Sequence, residues 1–444
     1  MADNGWTTMA FDKAVQVNPS VPLERGVVYP FVDMQAVDPG SRSVGPSEMR
    51  EFKGGGSRFM NGDTLMARIT PCLENGKIAR FSVREGQSIA HGSTEFIVIR
   101  GRPDVTDNGF AYYLTKWDGV RQYCISHMTG SSGRQRVPTD ALSHREVTIP
   151  PMKQQQAIGC ILGTLDDKIE LNQQMNRTLE AMARAIFKSW FVDFDPVRAK
   201  AEGRDPGQPK HIADLFPDSF EDSELGEIPR GWRVGVVGDI ATQAIGGQWG
   251  FDIQEDGLAP AVCLRGCDME DLRNNGYAPK APVRFVNPNA IEKRLPSDCD
   301  VLVGASGAGP CGRPLWFNSQ IKELYELPVI YSNFVKRFTT PSPAYAIYLD
   351  RFLICKFQDG TIHDFITGTS VPNLDAPGLL SGCHLVLPPP DLLHAFFKLS
   401  NSIFGKLYSK QNILLAQTRD LLLPKLISGE LSVPDAERIV GRCA

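Results

Sequence analysis

The longest regular pattern of apolar positions lies in the middle of the chain. From Met152 to Trp190 there is no proline. With Ile158 as position a of a heptad, the a positions are Ile158, Leu165, Asn172, Leu179 and Ile186, and the d positions are Ile161, Lys168, Met175, Met182 and Ser189. All but three of these ten are apolar, and Leu162, Ile169 and Trp190 add to them at e. This spacing predicts a long helix packed against another helix, with Asn172 placed mid-seam to fix register at some cost in stability. A second stripe, Phe396, Leu399, Ile403, Leu407, Leu414 and Leu421, offers the partner, and Pro424 is expected to kink or end it. The seam predicted on that side is Ile403, Leu407, Leu414 and Leu421. A helix of ~33 residues is about 50 Å long, so two of them side by side would hold flanking domains at a set separation.

Outside the helices the apolar runs are short and punctuated by Gly, Pro and Asn. Val27–Val32, Thr64–Ile69, Phe96–Ile99, Val301–Val303 and Val329–Phe338 read as strands. The chain also repeats itself. Residues 129–151, TGSSGRQRVPTDALSHREVTIPP, match residues 367–389, TGTSVPNLDAPGLLSGCHLVLPP, at an offset of 238. Thr129/Thr367, Gly130/Gly368, Ser132/Ser370, Leu142/Leu380, Pro150/Pro388 and Pro151/Pro389 coincide. Each copy closes on a short apolar run, Val147–Ile149 or Leu385–Leu387, stopped by proline. Gly5-Trp6 is answered by Gly231-Trp232, and a helical segment follows each proline stop. The order is sheet-rich unit, helix, sheet-rich unit, helix.

Four hundred and forty-four residues are too many for one ordinary core. No apolar run approaches the ~18 residues that span a membrane, and the polar stretch Met1 to Ala10 does not read as a secretory signal, so a cytoplasmic location is expected. The net charge of −4 hides an uneven distribution. Between Arg50 and Arg84 seven basic residues face three acidic ones, and Arg121, Arg134 and Arg136 occupy Gly119–Thr139 without an acid. Six basic residues face four acidic ones from Cys263 to Arg294, whereas acids crowd the connector at 214–224. Local basic stretches of this kind suit nucleic acid better than the sum does.

Motifs for chemistry are lacking. No GxxxxGK[ST] phosphate loop occurs, and Asn287-Pro288 and Asn18-Pro19 do not continue into the Asn-Pro-Pro-aromatic motif of adenine methyltransferases. Gly304–Pro310 follows a strand, but its glycines miss the GxGxxG spacing and Pro310 opposes an immediate helix, so a recognition loop is expected there instead of a dinucleotide site. The ten cysteines and seven histidines show no metal-ligand spacing. Catalytic residues, a metal and a cofactor of this chain's own are therefore not expected.

One stretch is recognisable. Pro150-Pro-Met-Lys-Gln-Gln-Gln156, Leu165-Asp-Asp-Lys-Ile-Glu-Leu-Asn172, Asn176–Glu180, Phe187-Lys-Ser-Trp-Phe-Val-Asp-Phe194 and the connector from Asp214 to Trp232 resemble the central conserved region of type I restriction-modification specificity subunits. Phe59–Phe81 looks like a segment of their recognition domains, and Leu423-Pro-Lys-Leu-Ile-Ser-Gly429 like their second conserved region. The resemblance implies an α+β chain with two repeated sheet-rich target recognition domains separated by two long conserved helices packed as an antiparallel coiled coil. The implied layout is a first recognition domain at 1–151, a central helix at 152–192, a connector at 193–230, a second recognition domain at 231–389, a C-terminal helix at 390–430 and a tail at 431–444. It further implies double-stranded DNA, two modification subunits and restriction subunits as partners. S-adenosylmethionine, ATP and Mg2+ would be used by those subunits, and the holoenzyme would be a site-specific deoxyribonuclease and adenine methyltransferase. Alternatives are the recognition subunit of a methylation-only complex and a coiled-coil assembly protein without DNA binding.

For DNA, affinity comes from Lys and Arg on phosphates and specificity from polar side chains at base edges. The first domain offers Arg58, Arg68, Asn75, Lys77, Ser131, Arg134, Gln135 and Arg136. The second offers Arg265, Arg273, Arg284, Arg313, Thr367 and Ser370.

Overall fold

The computed structural model describes residues 5–83, 85–131 and 133–443. Arg84 and Ser132, which the charge count and the repeat use, lie outside the described residues, as do the first four residues and Ala444. The chain divides into two compact units, one built from Met1–Leu171 with Leu414–Ala444 and the other from Asn172–Ile413.

In the first unit, a five-stranded sheet runs in the order Val15–Val17, Phe96–Gly101, Thr64–Ala67, Ile78–Phe81, Ser43–Val44. A four-stranded sheet has the order Glu48–Glu51, Val28–Val32, Ile89–Gly92, Ser57–Met60, and its central pairing is parallel. Thr7–Ala10 pairs with Glu146–Ile149, so the start of the unit is tied to the strand that the two prolines stop. The sheets bury alternating and continuous apolar runs such as Thr64–Ala67 beneath the helix Asn108–Lys116.

The second unit repeats this arrangement. One sheet runs Thr242–Gln243, Val335–Thr339, Asp300–Gly304, Pro314–Trp316, and another Val283–Val286, Ala259–Leu264, Val329–Tyr331, again with one parallel pairing. Arg233–Val236 pairs with His384–Leu387. The repeat seen at an offset of 238 is thus a repeat of topology. The run Val329–Phe338, expected as one strand, is two strands in different sheets, because a turn closed by Val335 N–H on the Ser332 carbonyl reverses it. The acidic connector forms a hairpin of its own, Phe220–Ser223 with Gly226–Pro229.

The long helix spans Met152–Phe191 without interruption. The C-terminal stripe is two helices, Pro390–Leu407 and Gln411–Ile427. Ser409 Oγ accepts from the Gln411 N–H at 3.2 Å, which caps a new start. Pro424 does not end the second of them, which continues to Ile427. A further helix, Val433–Cys443, buries Ala436 and Val440 in the first unit's core. None of the described helices is long and apolar enough to cross a membrane.

The buried stripe differs from the heptad reading in register. In the first unit Ile158, Ile161, Leu162, Leu165 and Ile169 share a core with Leu415, Leu422 and Leu426. Leu414 and Leu421, expected in the seam, are 58% and 61% exposed; the face one residue further on is the buried one. In the second unit Ala183, Phe187, Trp190 and Phe191 pack with Phe396, Ile403 and Leu407, with Leu179 and Ile186 at the margin. Met175 and Met182 are exposed. The apolar stripe follows positions a and e more than a and d, since each helix covers a domain core as well as a helix and needs a wider face than a two-stranded coil. In each unit taken alone the packed helices are antiparallel: in one Asp166 meets Arg419 while Ile158 lines a cleft with Leu426, and in the other Asn172 Nδ2 donates to Asn412 Oδ1 at 2.8 Å while Phe187 lies against Phe396.

Candidate nucleic-acid interface

In the first unit the strand Thr64–Ala67 leaves its sheet through Arg68 and Ile69. It turns at Thr70–Gly76, with Asn75 N–H on the Pro71 carbonyl at 2.9 Å, and returns at Lys77, whose carbonyl accepts from Ala67 N–H at 3.0 Å. Beside this loop stands the hairpin Thr129–Arg136, closed by Arg136 N–H on the Thr129 carbonyl at 2.8 Å. The two are stitched together. Thr70 N–H donates to the Gln135 carbonyl at 3.0 Å, Gln135 N–H donates to Thr70 Oγ1 at 3.1 Å, and Val137 N–H donates to the Arg68 carbonyl at 2.8 Å. Backbone ties of this kind hold a polar loop in place without a core of its own.

Seven of the eight residues nominated in this half are thereby brought together. Asn75, Ser131, Arg134 and Arg136 are exposed at this site. Arg136 makes a forked ion pair with Glu95 at 2.7 Å, and that hydrogen bond holds the Glu95 carboxyl below its ordinary range. Arg134 has no ion-pair partner among the described residues. Arg68 and Lys77 are half-buried and donate inward, to the carbonyls of Val137 at 3.0 Å and Met34 at 2.7 Å, so they brace the loop. Arg58 stands on the edge strand Ser57–Met60 of the other sheet, its guanidinium over the Phe52 ring, and lines a separate open cleft of about 390 Å³ with Asn18, Ser20 and Phe96.

The second unit builds the same constellation. Asp300–Gly304 leaves its sheet through Ala305 and Ser306 and returns at Arg313, whose carbonyl accepts from Gly304 N–H at 2.9 Å. The hairpin Thr367–Asn373 lies beside it, with Ser306 bridged to Asn373 and Gly307 N–H on the Pro372 carbonyl at 3.2 Å. Ser306 thus takes the place of Ile69, Arg313 that of Lys77, and Asn373 that of Arg136. The second hairpin spans 367–373 against 129–136 and is one residue shorter, so the gapless match of the two sequences hides a compensated gap. The glycines of 304–312 serve the loop itself: a Cβ on Gly304 would lie 2.0 Å from the Pro310 carbonyl oxygen, so only glycine fits where the loop folds back on its strand.

Thr367 and Ser370 are exposed at this second hairpin. The arginines nominated in this half are not displayed there. Arg273 is buried, paired with Glu180 at 2.8 Å and Asp350 at 2.5 Å, and it donates to the Pro314 carbonyl. Arg284 is buried against Trp249 and paired with Asp252. Both are corrected from DNA contacts to internal braces, because a guanidinium that is buried and paired within its own chain is not free to reach a phosphate. Arg313 is mostly buried, paired with Glu270 and stacked over Phe357. Arg265 is forked to Asp268 at 2.9 Å and to the Lys280 carbonyl at 2.8 Å. The first site is therefore cationic and the second is polar and neutral. Sequence reasoning missed Glu95, Asn373 and the cleft of about 500 Å³ lined by Asp12, Lys13, Gln16, Arg100 and Arg102; none of these carries a local motif.

The model of the type I restriction modification DNA specificity domain matches residues 59–181, from within the strand Ser57–Met60 into the long helix. The type I restriction enzyme HindI specificity subunit of Haemophilus influenzae is 28% identical over 391 residues, covering 76% of this chain and 81% of the relative. The type I restriction enzyme MjaIX specificity subunit of Methanocaldococcus jannaschii is 26% identical over 371 residues, covering 77% and 76%. A crystal structure of a type I restriction-modification system S subunit from M. genitalium aligns over 96% of this chain and 97% of that one, at 13% identity and a TM-score of 0.47.

Proposed function

We infer that this chain, a DNA specificity subunit of the type I restriction-modification kind, reads a bipartite target with the paired loop and hairpin of each repeat, one half-site per repeat. One observation carries the reading. Both repeats extend the same strand into a loop bonded to the same hairpin, so one device occurs twice with different side chains. Asn75, Ser131, Arg134 and Arg136 on one and Thr367 and Ser370 on the other would meet different bases, since Arg suits guanine, Asn suits adenine and Ser or Thr either. On this reading the chain has no catalytic activity, and S-adenosylmethionine, ATP and Mg2+ belong to its partner subunits. It works in the cytoplasm beside the DNA it reads.

The partner surfaces follow from what the helices leave uncovered. Met175 and Met182 are exposed on the long helix, and Leu414 and Leu421 on the helix Gln411–Ile427. Each pair is spaced by seven residues and so lies on one face, and the pairs are repeat mates at an offset of 239. Two equivalent apolar patches suit two copies of one modification subunit, with restriction subunits joining through them. The test is to co-purify the chain with that subunit and sequence methylated bases in DNA exposed to the complex. A discontinuous methylated motif is expected, and replacing Arg134 and Ser131 should change only one of its halves. Absence of any discontinuous motif overturns the reading.

A further inference from the structure

Each repeat receives, at one place in its core, a single charge carried in by a helical segment from the other half of the sequence, and the two charges are opposite. In the first unit Asp166 is 2% exposed, accepts from the Tyr113 hydroxyl at 2.7 Å and is paired with Arg419 at 2.7 Å. In the second, Glu180 accepts from Arg273 at 2.8 Å and from Arg351 at 2.7 Å, and the fully buried Asp350 completes the cluster. The guanidinium of Arg351 lies 5.2 Å from the centre of the Phe404 ring, and Phe404 is the repeat mate of Asp166 at the offset of 238.

Burial shows that Glu180 and Arg419 are equivalent. Gln173, Asn176, Ala183 and Phe187 are buried, and so are Asn412, Leu415, Leu422 and Leu426, each 239 residues on. The same shift takes Glu180 to Arg419 and the exposed Met175 and Met182 to the exposed Leu414 and Leu421. The two segments therefore present matching apolar and exposed faces, and apolar packing alone would accept either in either place. The charges would not. Glu180 seated in the first site would bring a second carboxylate to Asp166 and remove its arginine. Arg419 seated in the second would leave three guanidinium groups around Asp350 alone. The first site is the more tolerant, because Lys116, which donates to the Tyr112 hydroxyl at 3.1 Å, and Arg42, which donates to the Gly163 carbonyl and pairs with Asp167, keep cations near Asp166.

We propose that Glu180 and Arg419 are the specificity-determining pair that assigns each helical segment to the opposite repeat, and so excludes the pairing of like halves from two copies of this chain. An ion pair buried in this way adds little net stability but discriminates strongly against the wrong partner. The inference concerns the assembly of the chain and stands apart from DNA reading.

The test uses the full-length chain with E180R and R419E, singly and together. E180R should lower the melting temperature more than R419E, because its site already holds two arginines. The double exchange satisfies each site only from a second copy, Asp166 with Arg at 180 and Arg273 with Glu at 419, so its mass by light scattering should be twice the 48.9 kDa of the chain. The milder E180Q/R419Q, which removes both charges, is refolded from denaturant at rising concentration beside it. The natural chain should return monomer alone, and E180Q/R419Q a mixture of monomer and dimer. A double exchange that stays monomeric with an unchanged melting temperature, or an E180Q/R419Q chain that refolds to monomer alone, overturns the assignment.

Discussion

Replacing Arg273 by Met separates two roles that a surface reading and a core reading assign to it. Arg273 is one of two cations in a buried cluster whose anions are Glu180 and Asp350. Its removal leaves Arg351 to serve both carboxylates, one of them fully buried, and strips the Pro314 carbonyl of its donor. Breaking a buried pair from one side costs about 3–5 kcal/mol, because the remaining charge has lost its compensation. Met fills most of the aliphatic volume, so a cavity adds little. For a unit of this size each kcal/mol moves the melting temperature by roughly 2–4 °C, giving a fall of about 6–20 °C. Calorimetry of the purified chain measures this, and fluorescence anisotropy with a duplex bearing the methylated motif measures DNA binding below the transition. The expected result is a large drop in melting temperature with DNA affinity kept. If the melting temperature moves by less than about 2 °C while DNA affinity falls, the core assignment is wrong and Arg273 reaches DNA.

Arg134→Ala should weaken binding by about 1–3 kcal/mol and relax the preference at one base position, and Arg136→Ala should do less, because Glu95 already holds that guanidinium; unchanged affinity and base preference in both would remove the first hairpin from the interface. Burial opposes ionisation of Glu180 and Asp350, but Arg351 and Arg273 outweigh it and hold both carboxyls below their ordinary range. Their stabilising contribution is therefore complete above the unfolded values near about 4 and lost as pH falls through the lower folded values. The stability gap between the natural chain and E180Q should accordingly shrink on acidification below about pH 4, and urea unfolding that shows a constant gap would refute the linkage. Met175→Lys and Leu414→Lys should leave melting within about 0.5 kcal/mol, as exposed positions do, yet weaken capture of the modification subunit about tenfold or more. Equal capture would show that these patches face solvent in the complex too.

What the chain disclosed in advance, and what it withheld, follow from the range over which each signal acts. The repeat was legible because its markers are local: glycine at a hairpin, an apolar run, two prolines that stop a strand. Those same markers located the strands that the structure places at Thr64–Ala67 and Phe96–Gly101 and the polar loop at 129–136. The buried arginines were illegible for the opposite reason. Arg273 carries the same charge in sequence as Arg134, and the acids that draw it inward lie 93 and 77 residues away. Only the fold brings them within reach, so charge type alone cannot separate an exposed arginine from a core brace. The seam shows a subtler limit. Leu414, Leu421, Met175 and Met182 are as apolar as the residues that pack, and a heptad count that treats every apolar residue as self-buried shifts the register by one. An apolar residue at helical spacing need not be covered by its own chain, and the residues that broke the heptad here are the ones this chain leaves exposed.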